Sequence, residues 1–322
     1  MSHPLMVLHD DPQHGVALYA DQLTGAIGLP GLGILLDRLG DLPAGTPLHL
    51  HFTDRLWADS PEAAAERIVG LAGRHPFTVT LHDLPQPSDG ERNLPRRSAC
   101  YRAVARAAGR VVCNSAHEAA LLREYTDSGV DAVVIPLPVQ RQPSGAIEAP
   151  DGSVGVLGFF YPGKGHDEAL AAMADAGATT MSILGRASPG HEQELDAFVA
   201  RAATVGVHVE VSGHVDDAEL VRRSRRVSVP VVAHRHVSAS GSLGSWISAG
   251  RRPIATANRY TTEMAALRPR TLTIADPDEL GAAITAAFAD PATTWLPSDL
   301  DVPLGRAEVA AAYVAAWEGV QW

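Results

Sequence analysis

The chain has 322 residues, long for one domain and enough for two of about 150. Its 46% hydrophobic and 20% charged content is that of an ordinary globular protein. With 26 Lys+Arg against 37 Asp+Glu the formal net charge is −11, which speaks against a nucleic-acid partner and against docking on an anionic membrane.

The amino-terminal run up to His9 has no basic flank and no small-residue cleavage site, so no signal peptide is expected. No window reaches about 18 apolar residues, so no transmembrane segment is expected either. A cytoplasmic protein follows, with Cys100 and Cys113 as reduced buried thiols. Short apolar runs alternate with Ala-rich amphipathic stretches, the pattern of βα units on a parallel sheet. Strands are predicted at 5–9, 47–52, 77–81, 110–113 and 132–135, with helices near 16–28, 61–73, 96–108 and 116–125. Ser115 and Glu118 predict a capping box at the last of these. The stretch 140–153 is rich in turn formers and lacks periodicity, so it is the predicted linker. The alternation then restarts, with strands at 154–159, 179–184, 207–211, 226–231, 253–256 and 271–274. The final segment, 306–322, is helical in pattern and carries Tyr313, Trp317 and Trp322, as a tail that packs on something does. The expected fold class is α/β: two doubly wound Rossmann-like domains, 1–145 and 146–304, facing a cleft, with a C-terminal helix from 305 crossing back to the first.

Ligands of open parallel sheets bind outside the carboxyl ends of strands. Four strand-end loops are informative. His14-Gly15-Val16 opens a helix, where a Gly lets backbone N–H groups approach an anion. By contrast, Gly28-Leu-Pro-Gly31-Leu-Gly33 lacks a third fingerprint Gly, contains Pro and follows a helix, so it is no dinucleotide motif. His82-Asp83 ends an apolar strand and could orient a polyhydroxylated substrate. His49 and His51 share one strand face, but no acidic third ligand accompanies them, and no metal site is read there. The third loop holds the chain's single lysine, Lys164, flanked by Gly163 and Gly165. A lysine is a compact point charge with three donors, suited to a phosphate oxygen. The fourth, Ser240-Gly241-Ser242-Leu243-Gly244-Ser245, presents N–H groups and hydroxyls at a helix start, which suits a diphosphate.

In order and spacing these loops resemble the GT-B glycosyltransferases, specifically the retaining family 4 type. His14-Gly15-Val16 resembles that family's Gly-Gly-Val loop, and His82 sits where it has a strand-end histidine near the donor sugar. Val111-Val112-Cys113-Asn114-Ser115 and Ile135-Pro136 resemble segments preceding its helix and its interdomain linker. Gly158 through Lys164-Gly165 is similar to its diphosphate motif; Ile183-Leu184-Gly185 and Val211-Ser212-Gly213-His214-Val215 are similar to loops around the nucleoside. Ser240–Gly250 followed by Arg252-Pro253-Ile254-Ala255 parallels its last signature. Two features depart from it. Phe159 stands where the family has an Arg, and Val237 and Ser245 stand where it has a pair of glutamates for the sugar and the ribose.

The resemblance implies transfer of a hexose from a nucleotide-diphospho-sugar to a saccharide hydroxyl, with retention. Lys164, His82 and Gly15 would act in catalysis, Gly15 closing from the other domain. Lys164, Gly185, Gly213, His214, Ser240, Gly241, Ser242, Leu243 and Ser245 would bind the donor. GDP-mannose is favoured over UDP-glucose, on a composition that resembles actinobacterial enzymes of this type. No obligatory metal is implied, Mg2+ being at most stimulatory, and a homodimer is one candidate assembly. A non-catalytic sugar-nucleotide-binding subunit is the alternative that the lost glutamates leave open.

Overall fold

The computed structural model describes residues 3–11, 14–143 and 149–322. In chain order the elements are β1 (Leu5–Leu8), α1 (Gly15–Ile27), β2 (Gly33–Leu35), β3 (Leu48–Phe52), α2 (Asp54–Trp57), α3 (Pro61–Ala72), β4 (Phe77–Leu81), α4 (Gly90–Ala107), β5 (Arg110–Cys113), α5 (Ala116–Thr126) and β6 (Ala132–Val134). There follow β7 (Val154–Leu157), α6 (His166–Ala176), β8 (Thr180–Leu184), α7 (Glu192–Thr204), β9 (His208–Val211), α8 (Asp217–Arg226), β10 (Val229–Val232) and α9 (Gly241–Ser248). The last elements are β11 (Ile254–Thr256), α10 (Arg259–Leu267), β12 (Thr273–Ala275), α11 (Leu280–Ala289) and α12 (Arg306–Trp317).

The chain divides into two compact units, Met1–Pro138 with Leu304–Trp322, and Val139–Pro303. The boundary expected at 145/146 lies outside the described residues. Just before it the turn-rich stretch is tied to the second unit: Gln142 N donates to Ser248 O, and Arg141 Nη1 donates to the Pro297 and Leu300 carbonyls.

Each unit is a parallel six-stranded sheet with flanking helices. The orders are β2-β1-β3-β4-β5-β6 and β12-β11-β10-β7-β8-β9. Strands β3, β4, β7 and β10 are buried along their whole length, as strands covered on both faces must be. Strand order reverses between β1 and β3 in the first sheet and between β7 and β10 in the second, the places where such sheets bind ligands. Helix starts follow local chemistry: Ser60, Ser115, Asp216, Ser240 and Asn258 each accept the amide three residues on. The second arm of the predicted box at Ser115 goes elsewhere, because Glu118 Oε2 accepts from Asn114 N at 2.6 Å.

Two further departures have physical causes. Strand β2 is a three-residue edge strand, too short to register as a period after the Gly28-Leu-Pro-Gly31 turn. Helix α4 starts at Gly90 instead of 96 and runs through Pro95, whose missing N–H forfeits the bond to the Glu91 carbonyl. Arg96 to Glu62 and Arg97 to Asp54 and Asp89 hold that turn in place regardless. Arg251, 1% exposed, feeds the carbonyls of Ser224, Val227, Ser228 and Thr294 and lies over the Trp295 ring.

Within the first unit α12 packs Val309, Ala310, Tyr313, Ala316 and Trp317 on Met6, Leu23, Val112 and Ile135. Cys100 and Cys113 are free and buried. Among the described residues no helix is long and apolar enough to cross a membrane. Trp317 is 4% exposed and its indole N–H donates to His49 Nδ1 at 3.2 Å. Trp317→Ala is therefore expected to lower the unfolding free energy of this unit by about 3–5 kcal/mol. Urea denaturation followed by circular dichroism checks the shift.

Candidate functional site

In the second unit the polar cluster forms at the reversal between β7 and β10. The Lys164 loop leaves β7 and the Ser240 loop leaves β10. Gly165 has φ +103, and a Cβ there would meet the Ala233 carbonyl oxygen at 2.4 Å, so the two loops touch backbone to backbone. Gly185, at the end of β8, presses in the same way on Gly158: its Cβ would lie 2.1 Å from Gly158 O. Over Gly158 sits the lysine, whose Nζ would be 3.4 Å from a Cβ placed there. Glycine at these positions is a requirement of close approach.

Lys164 is 8% exposed, and its ammonium has no carboxylate partner among the described residues. Nζ donates to Ser242 Oγ at 3.1 Å, faces His234 Nε2 at 3.5 Å and lies 5.7 Å from the centre of the Tyr161 ring. Ser242 and Ser240 hydroxyls are 3.0 Å apart, and Ser240 Oγ is 2.9 Å from His234 Nε2. Burial pulls Lys164 from 10.5 to about 8 and His234 well below 6.5. Lys164 is thus mostly charged at neutral pH, in a place that penalises the charge. A cation held so without an anion is what an incoming anion would complete.

The amides at the α9 start are not all available. Ser240 N donates to Tyr260 OH at 2.9 Å, and Leu243 N to Ser240 Oγ at 3.2 Å, ordinary capping in part. The Gly241 and Ser242 amides remain unbonded among the described residues. A Cβ on Gly241 would meet nothing within 4 Å, so the space before them is open. Ser245 Oγ turns back to Gly241 O at 3.1 Å, and Val237 is 9% exposed; neither offers a carboxylate. Arg186, beside Gly185, places its guanidinium 5.5 Å from the centre of the Phe159 ring. Gly213 and His214 follow β9, three strands from β10 in the sheet.

In the first unit a chain of neutral imidazoles runs through the sheet. His49 and His51 on β3 lie across from Thr78 and Thr80 on β4. His49 Nδ1 contacts Thr78 Oγ1 at 2.7 Å and Nε2 contacts Thr80 Oγ1 at 3.0 Å; Thr80 Oγ1 reaches Tyr313 OH at 3.0 Å. His51 Nδ1 is 3.0 Å from His82 Nε2, the two rings being stacked. Burial holds His49 and His82 at about 3, so these rings stay uncharged. The His82 backbone is fixed from outside the sheet. Tyr101 OH donates to His82 O at 2.7 Å, and Arg97 Nη2 donates to the Asp83 carbonyl at 2.6 Å, where φ is +52. Gly15 is the first residue of α1, capped by His14 Nδ1 accepting from Val16 N. A Cβ on Gly15 meets nothing within 4 Å, so the protein's own packing does not demand glycine there.

The structure therefore joins Lys164, Ser240, Ser242 and Leu243 in one cluster with Gly185 against its floor. It adds His234, Tyr260 and Tyr161 there, and His51, Tyr101, Arg97 and Tyr19 around His82 and Asp83. Sequence reasoning missed most of these partners because their bonds span long separations with no local signal; Tyr161, three residues before Lys164, is the exception. No group of His, Cys, Asp or Glu side chains that could hold a metal ion occurs among the described residues.

No family profile matches the sequence, and no curated protein is similar to it at sequence level. Solved structures are similar. Sucrose-phosphate synthase from Thermosynechococcus elongatus is 16% identical with a TM-score of 0.68, covering 98% of this chain and 96% of that one. Anabaena Alr3699/HepE in complex with UDP is 14% identical, TM-score 0.65, covering 97% and 95%. A UDP-forming α,α-trehalose-phosphate synthase from Burkholderia xenovorans is 10% identical, TM-score 0.62, covering 96% and 80%. The fold is GT-B. At these identities the likeness is one of fold alone.

The GT-B lysine has a measurable signature. Its lowered pKa is a cost to folding that is full below about 8, where the ammonium is charged in both folded and unfolded chains. The cost fades as pH rises from about 8 to 10.5, and the gap corresponds to roughly 3 kcal/mol. Lys164→Met should therefore unfold at no lower urea concentration than the parent at pH 7, with a gain of up to about 3 kcal/mol. That gain should shrink towards pH 10.5.

Proposed function

We propose that the protein is a hexosyltransferase that moves a sugar from a nucleotide-diphospho-sugar to a saccharide hydroxyl. The observation that carries this reading is the buried, carboxylate-free ammonium of Lys164 beside the open α9 start, at the strand-order reversal of a GT-B unit. Cleavage of the bond between the anomeric carbon and the diphosphate oxygen leaves negative charge on the leaving group. Preorganised donors aimed at that charge lower the barrier. Lys164 has three N–H donors; Ser242 and His234 engage two, which leaves one for a phosphoryl oxygen. The Gly241 and Ser242 amides add neutral donors at the positive end of a helix. The acceptor oxygen forms the new bond to the anomeric carbon as the bond to the diphosphate oxygen breaks, and its proton passes to the leaving diphosphate. Retention at the anomeric carbon and membership of family 4 are part of this proposal, supported by the motif order.

For the donor, UDP-glucose is the first to test. The Anabaena protein is described with UDP and with UDP-glucose, and the Burkholderia one as UDP-forming. Nothing in the comparisons favours GDP-mannose. Gly185, Gly213 and His214 are proposed on the nucleoside side, where β8 and β9 end. In the first unit Gly15 and His82 are proposed to act at the carboxyl ends of β1 and β4. His82, neutral because it is buried, would do so as a hydrogen-bonding group.

Incubation with labelled UDP-glucose or GDP-mannose and saccharide acceptors should release UDP or GDP with product. Tight binding without release would favour the non-catalytic subunit instead. A thermal-shift panel of UDP, GDP and ADP should show its largest rise with the true donor's nucleotide. Lys164→Ala should lose at least about tenfold to a hundredfold in kcat while remaining folded, since charge-assisted bonds contribute about 1.5–3 kcal/mol. Near-normal turnover by that variant would overturn the assignment. Because the charged lysine is the active form, kcat/KM should fall as pH rises through about 8.

A further inference from the structure

We propose that His234 is a positioning residue for Lys164, accepting from its ammonium at Nε2 while donating to its own carbonyl at Nδ1. This rests on Lys164 being the anion-binding group proposed above.

The direction of every bond in the cluster follows from donor chemistry. His234 Nδ1 is 2.8 Å from Lys164 O, and a carbonyl can only accept, so Nδ1 carries the proton. Nε2 then presents a lone pair, at 2.9 Å to Ser240 Oγ and 3.5 Å to Lys164 Nζ. The Ser240 hydroxyl donates to that lone pair and accepts from Leu243 N. Ser242 O–H donates to Ser240 Oγ, and Ser242 Oγ accepts from Lys164 Nζ. The result is a closed ring: Lys164 Nζ to Ser242 to Ser240 to His234, and from His234 back to the Lys164 backbone. One histidine thus fixes both ends of the same lysine. The opposite tautomer would aim an N–H at the ammonium and set two acceptors against each other at the carbonyl.

The surroundings keep this state. His234 is 5% exposed, and burial holds it neutral. The other titratable or charged groups around Lys164 are Tyr161 on its own loop, His166 on α6, His236 against Gly163, Tyr260 on α10, and the Arg235–Glu168 pair. His166 is also held neutral by burial, at about 3, and Glu168 is already engaged by Arg235 at 2.8 Å. The acceptors that Lys164 Nζ meets are therefore uncharged, and His234 is the one that also sets its backbone.

Two variants separate the functions of the ring nitrogens. His234→Gln carries an acceptor oxygen to the place of Nε2 but loses the Nδ1 donor. His234→Asn keeps a donor at Nδ1 and loses the distant acceptor. Because the chain has one lysine, 13C/15N-lysine labelling gives a single side-chain resonance to titrate. In the ligand-free protein the parent should titrate near 8, His234→Gln close to it, and His234→Asn about one unit lower. Parent, Asn and Gln titrating together would overturn the proposal. If the variants do not fold, 15N-histidine spectra of the parent decide the matter. His234 should remain the neutral Nδ1–H tautomer between pH 5 and 9, and the Nε2–H form or a charged ring would contradict it. Adding UDP separates the two claims. A lysine that UDP does not perturb, with the Asn/Gln split intact, would sink the anion-binding reading and leave His234's role standing. A UDP-induced shift with no split would do the reverse.

Discussion

A buried ammonium with no carboxylate partner among the described residues is the constraint around which the second unit's polar cluster is built. A carboxylate in that place would have neutralised Lys164 and stabilised the fold. The sequence instead surrounds it with two serine hydroxyls, an imidazole lone pair and an aromatic face. Such acceptors localise the charge without cancelling it, so the unpaid electrostatic term remains for a ligand to satisfy. Glycines at 158, 165 and 185 let β7, β8 and β10 bring their loops into backbone contact beneath it. In the proposed function this destabilised position is the binding position: stability is given up locally where preorganised charge is needed.

The first unit solves a different problem with the same tools. Three imidazoles lie inside its sheet, and burial keeps them neutral, so threonine and tryptophan groups and a neighbouring imidazole bond them without any ion. His51 Nε2 is buried without a partner, a local cost inside an otherwise satisfied network. The buried Arg97 lies outside that network, where it pairs with Asp54 and Asp89 and anchors the carbonyl beside His82. Helix α12 closes the network from the far end of the chain through Tyr313 and Trp317.

Much of this was legible in the sequence, for physical reasons that also mark the limits. Buried strands such as Val154–Leu157 and Val229–Val232 read as short apolar runs, and Ser115 and Ser240 announce helix starts through a three-residue bond. Lys164 and the Ser240 turn stood out by composition and spacing. What stayed hidden depends on long separations. His234 meets Lys164 seventy residues away, and Tyr313 meets Thr80 across more than two hundred. The Pro95 turn reads as a helix boundary until Arg96 and Arg97 are seen holding it. The donor base had no signal at all in Gly185, Gly213 and His214, since backbone contacts carry little base identity.

The central claim is that Lys164 grips the phosphate next to the sugar. Calorimetric titration of UDP against UMP, in the parent and in Lys164→Met, tests it most directly. The account predicts that UDP binds the parent about tenfold or more tightly than UMP, and that the gap closes when the ammonium is removed. Equal affinity of UDP and UMP for the parent, or a gap unchanged in Lys164→Met, would contradict it.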